Sequence, residues 1–127
     1  MNHLEKVVAN RHDILDQLCS HDVLLSRRHD LEAYLVEYPD LASILGDVCE
    51  KVRAAFGSAT ELSLELYRDP EIDDRYLTLY LRQESYSSDF IDRIDAVCAE
   101  FHSRLETAEG YFLVTTDFRR PGEVHVV

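Results

Sequence analysis

Leu62-Ser63-Leu64-Glu65-Leu66-Tyr67 and Tyr76-Leu77-Thr78-Leu79-Tyr80-Leu81-Arg82 both alternate leucine with a polar or aromatic residue. Period two over such lengths specifies two strands, each with one apolar face and one mixed face. Pairing Leu66 with Leu77, Leu64 with Leu79 and Leu62 with Leu81 puts all these leucines on one side. A slip of one residue would turn a strand's leucines outward, so the register is strongly specified. The segment from Arg68 to Arg75 then reads as a hairpin loop longer than the usual roughly 2–5 residues.

On the N-terminal side the pattern is helical. Leu4, Val7, Val8, Leu15 and Leu18 fall near one face of a helix from His3 to Ser20, interrupted by Arg11 and weakened by Asn10. The periodicity lapses at Val23-Leu24-Leu25. A second helix runs from Ser26, its expected N-cap, to Glu37, with Leu31, Tyr34, Leu35 and Tyr38 at helical spacing. Pro39 closes it and opens a third, in which Leu41, Ile44, Leu45, Val48, Val52 and Phe56 recur before Gly57.

After the hairpin, Gln83 to Ser88 is a polar connection. A fourth helix continues to Ala108, burying Phe90, Ile94, Val97, Phe101 and Leu105, and Gly110 stops it. Tyr111 to Thr116 forms a third strand, and a turn at Arg119-Arg120-Pro121-Gly122 returns Glu123 to Val127 as a fourth. The expected fold is a single α+β domain over 1–127. N-terminal helices precede a small, mainly antiparallel sheet, with helices packed on its leucine face.

Charge narrows the function classes. The chain has 25 acidic and 13 basic residues, a net charge of −12, which opposes binding to a phosphate backbone. Nucleic acid is therefore not an expected partner, and the charge fits either a soluble cytosolic protein or one whose partner is basic. No apolar run is long enough to span a membrane, and Met1-Asn2-His3-Leu4-Glu5-Lys6 lacks the apolar core of a signal peptide. A cytoplasmic location is expected. Cys19, Cys49 and Cys98 fall in apolar helical patterns and are expected as reduced core thiols.

Three candidate chemistries can be weighed. His12-Asp13, His21-Asp22 and His29-Asp30 offer metal-ligating pairs, but His12 and His21 are too far out of phase to share one helix face. Ordinary surface histidines account for them. Asp69, Glu71, Asp73 and Asp74 give a carboxylate-rich loop resembling half a calcium site. It lacks the central glycine and the distant bidentate glutamate, so a solvated turn offsetting Arg68 and Arg75 is the better reading. The loop Asp69-Pro70-Glu71-Ile72-Asp73-Asp74 also resembles one in small bacterial proteins, where it implies no site. No Gly-x-Ser-x-Gly elbow and no phosphate-cradling glycine loop is present, and no cofactor is expected.

The mixed face of the hairpin carries the stronger signal. Tyr67, Tyr76 and Tyr80 share it, with Tyr111 as a further member. Tyrosine suits protein interfaces, since an apolar ring ends in a hydrogen-bonding tip. The alternative is that the N-terminal helices cover this face. The leading expectation is a non-catalytic interaction or accessory protein, acting as a homodimer or through a protein partner. A metal-assisted hydrolase built on the acidic loop and an acidic antitoxin-like partner are the alternatives.

Overall fold

The hairpin forms in the register that its leucines specify, with Leu62 opposite Leu81, Leu64 opposite Leu79 and Leu66 opposite Leu77. These strands are β2 (Glu61–Asp69) and β3 (Asp74–Arg82). They come from a computed structural model that describes residues 14–71 and 74–122 of the chain. Each strand runs further than expected, to Asp69 and from Asp74, so the stretch between them is within the ordinary length of a hairpin connection. Arg68 stands opposite Arg75 as the register requires, and Asp69 opposite Asp74.

The sheet is mixed instead of mainly antiparallel. Its order is β1-β2-β3-β4, where β1 is Val23–Leu25 and β4 is Phe112–Thr115. Only the central hairpin pair is antiparallel; β1 runs parallel to β2, and β4 parallel to β3. The apolar run at Val23 is thus an edge strand. Three residues are too few for alternation to show, and its identity comes from pairing with Leu62, Ser63 and Leu64.

Helices supply both parallel crossovers. Residues 14–20 form the described part of helix α1. Between β1 and β2 come α2 (Arg28–Glu37) and α3 (Asp40–Phe56), and between β3 and β4 come α4 (Phe90–Ala99) and α5 (His102–Thr107). Parallel neighbours cannot be joined by a tight turn, so each pair of helices carries the chain back to the start of the next strand. The expected single helix up to Ala108 is two helices. At Glu100 and Phe101 the chain tightens to i→i−3 bonds, with N–H···O distances of 3.1 and 3.0 Å, and Phe101 stays buried. The start of the first expected helix, with Leu4, Val7 and Val8, and the expected strand Glu123–Val127 lie outside the described residues.

All the leucine-face positions point into one core. Leu62, Leu64, Leu77, Leu79 and Leu81 lie against Leu41, Leu45, Val48 and Val52 of α3 and Phe90 and Ile94 of α4 within one buried cluster. The helices therefore cover the leucine face, as the pattern implies. Gly57 ends α3 at φ +85°, a conformation a Cβ would strain, and its N–H bonds Arg53 O at 2.9 Å. Gly110 packs where a methyl group would sit 2.5 Å from Leu41 Cδ1 and 2.9 Å from Tyr38 Cβ. That contact lets the chain enter β4 close against α3.

The thiols divide by position. Cys49 is buried, Cys98 is half-buried and Cys19 is exposed, so Cys19 corrects the expectation of three core thiols. Cys19 follows Leu18 on α1 and lies outside its buried stripe of Ile14, Leu15 and Leu18. Burial pushes the Cys49 thiol up to about 12 and raises Cys98 as well, helped there by Asp95. Disulfide-reagent titration of the folded protein should label Cys19 first, Cys98 slowly and Cys49 only on unfolding. Fast labelling of Cys49 under native conditions would contradict this packing.

Candidate functional site

The face of the sheet opposite the helices is a grid set by the register. At one end Asp69 pairs with Asp74. Next comes a row of Tyr67, Tyr76 and Tyr111, then Glu65, Thr78 and Leu113. Leu24, Ser63, Tyr80 and Thr115 form a further row, and Glu61 and Arg82 close the grid. Every second residue of each strand falls here, which is why the tyrosines gather without any contiguous motif.

The three tyrosines form one aromatic band. Tyr67 and Tyr76 have ring centroids 4.8 Å apart and inclined by 30°, while Tyr76 and Tyr111 meet edge to face at 5.3 Å and 74°. Tyr67 and Tyr111 are 43% and 58% exposed, so much of the band is open to water. Leu24 and Leu113 extend the exposed apolar area on the same face. Tyr80 stands apart from the band, and the Arg82 guanidinium lies 5.0 Å from its ring centroid. Burial, then the neighbouring Tyr67 and Tyr111 and the charges of Asp74 and Asp69, raise the Tyr76 hydroxyl above its ordinary value. The ring is therefore neutral at physiological pH and presents an electron-rich face.

Arg82 organises the other end. Its side chain is 3% exposed, and Nε and Nη2 donate to both Asp117 oxygens at 3.0–3.3 Å in a bidentate fork. Nη1 reaches Glu61 at 3.2 Å and Nη2 reaches Glu65 at 3.4 Å. Burial alone would raise the Asp117 carboxyl. The Arg82 hydrogen bonds, the Arg119 N–H and both arginine charges outweigh it and hold the carboxyl below the usual range. Gly122 N–H donates to Glu61 Oε1 at 3.0 Å, so the clasp fixes the segment after β4 against β2 and β3. Sequence reasoning passed over this cluster. Glu61 opposite Arg82 was readable from the register, but nothing local marks Asp117 as its partner.

The acidic loop is differently placed from the tyrosines. Asp69 and Asp74 lie beyond the band on the same face, and Asp69 Oδ1 accepts the Glu71 N–H at 2.9 Å within the turn. Asp73 lies outside the described residues, as do His12 and Asp13. His21 and His29 are both exposed, one after α1 and the other on α2. Among the described residues no three His, Cys, Asp or Glu side chains converge as metal ligands, and no helix is long and apolar enough to cross a membrane. Arg75 turns to the helix side, where it pairs with Glu37 at 2.7 Å.

Comparison with family models, with curated proteins and with solved structures gives no match to this chain.

Proposed function

We propose that this chain is a non-catalytic interaction protein whose tyrosine face docks a cationic segment of a partner protein. The observation that carries the reading is the exposed band of Tyr67, Tyr76 and Tyr111, flanked by Asp69 and Asp74 on one side and Glu65 on the other. Lysine or arginine over a tyrosine ring gains about 0.5–1 kcal/mol at exposed sites and about 2 kcal/mol when desolvated. Nearby carboxylates add charge complementarity, which raises association rate and selects the partner's sign.

Charge also ranks the basic partner above a second copy. Among the described residues Asp69, Asp74, Glu65, Glu61 and Asp117 outnumber the arginines paired with them, Arg82 and Arg119, so face-to-face homodimerisation would bring like charges together. Edge-to-edge pairing is also disfavoured, since β1 and β4 are only 3 and 4 residues long. A homodimer is the second reading, and salt separates the two. Binding to a basic partner weakens as salt rises, whereas self-association of acidic faces strengthens.

A fluorescent oligo-arginine peptide is a suitable probe, read by anisotropy across a salt series. The expected result is saturable binding at low salt, weakened at least about tenfold by Tyr76→Ser with Tyr111→Ser, with thermal stability nearly kept. Equal binding by the double variant would sink the reading. Sedimentation at twice the chain mass, strengthening with salt and abolished by the same variant, would replace it with the homodimer.

A further inference from the structure

A concave site lies on the helix side of the sheet, between α1 and α3 and against the paired start of β1 and β2. Its volume is about 410 Å³, within the range of small-ligand pockets. Leu18, Val23 and Leu62 form its floor and are 2%, 3% and 1% exposed. Gly46 and Ala54 line it from α3. At its rim stand His21, Glu50 and Arg53.

The two charges at this rim are not paired with each other. Glu50 and Arg53 are three apart on α3 and so share one side of the helix. Arg53 donates only to backbone carbonyls, with Nη1 to Thr60 O at 2.6 Å and Gly57 O at 3.0 Å. Its Nη2 bonds, to His21 O and Asp22 O, are long at 3.3 and 3.5 Å. Among the described residues no carboxylate lies within salt-bridge distance of Arg53, and no cation within that distance of Glu50. Among the described residues a half-buried guanidinium without a counter-ion and an exposed carboxylate without a cation thus stand at the rim of one apolar floor.

We infer that this pocket binds an apolar α-amino acid, with its carboxylate on Arg53, its ammonium on Glu50 and its side chain on Leu18, Val23 and Leu62. Each part of that ligand answers one part of the site. A fatty acid would set its only charge beside Glu50, and an alkylamine would set its own beside Arg53. A ligand carrying both charges on neighbouring atoms satisfies both side chains at once, and each contact is a charge-assisted hydrogen bond. A polar amino acid would forfeit the floor.

The test is calorimetric titration of the whole chain with leucine and phenylalanine, beside glycine, isovalerate and isoamylamine. Saturable binding of leucine or phenylalanine in the millimolar range or tighter is expected, with glycine and both singly charged analogues at least about tenfold weaker. Glu50→Gln should weaken amino-acid binding about tenfold, and since Glu50 is exposed and unbonded the fold should be unaffected. Arg53 also holds the turn before β2, so Ala54→Leu serves as the second variant, filling the pocket and abolishing binding. Absence of saturable heat for both amino acids overturns the proposal. So does equal affinity for the singly charged analogues, or full binding by both variants.

Discussion

Arg82→Ala should lower the unfolding free energy by about 2–4 kcal/mol, measured by urea denaturation near neutral pH. Breaking a buried ion pair typically costs about 3–5 kcal/mol, because the partner is left charged without compensation. The lower range applies because Glu61, Glu65 and Asp117 keep 15%, 34% and 26% of their side-chain exposure. Arg82→Lys should fall between, since lysine keeps the charge but cannot make the two-pronged contact with Asp117. The pH dependence separates this explanation from simple loss of packing. In the native protein Asp117 sits below its ordinary range, so its contribution is present at neutral pH and is lost as pH falls below about 4. In Arg82→Ala three carboxylates crowd one another without a cation, and their affinity for protons rises. A group that binds protons more tightly in the folded state contributes less as pH rises, so the variant should recover part of its deficit on going from pH 8 to pH 5. A deficit that stays constant across that window would mean the clasp is not electrostatic.

How much of this was legible in the sequence depends on the range of the interaction. The hairpin register was fully readable, because leucines occupied one parity only, and with it came the meeting of Tyr67 with Tyr76 and of Glu61 with Arg82. Tyr111 joins the band only because β4 lies parallel to β3, a pairing made through two intervening helices. The strand at Val23–Leu25 was missed for the same reason. Nothing within three residues distinguishes an edge strand from an apolar turn, and the pairing partner is Leu62–Leu64, far along the chain. The break between α4 and α5 carries no proline or glycine, so local signals favoured one continuous helix. The α1–α3 pocket was invisible for a different reason. No local sequence pattern marks Glu50 and Arg53, and only the fold sets them over Leu18 and Val23.

Strand β3 allows the two faces of the sheet to be tested within adjacent residues. Leu79 is fully buried, pairs with Leu64 and Val114, and sits at the centre of the core. Leu79→Ala should cost about 3–5 kcal/mol, the transfer term plus the cavity that close-packed neighbours cannot fill. Domains of this size have total stabilities of about 5–15 kcal/mol, so this single change should move the denaturation midpoint far. Thr78 lies next to it on the other face, 2% exposed, and its hydroxyl has no hydrogen-bond partner among the described residues. A buried unsatisfied hydroxyl costs about 1–3 kcal/mol, so Thr78→Val, which keeps the shape and removes the polar atom, should stabilise the protein. Tyr76→Ser, on that same outer face, should move stability much less than Leu79→Ala while removing the centre of the aromatic band. Opposite signs at residues 78 and 79, with a small effect at 76, require the leucines inside and the tyrosines outside. Equal destabilisation at all three positions would instead mean that both faces of β3 are core, and the tyrosine band would then have no room for a partner.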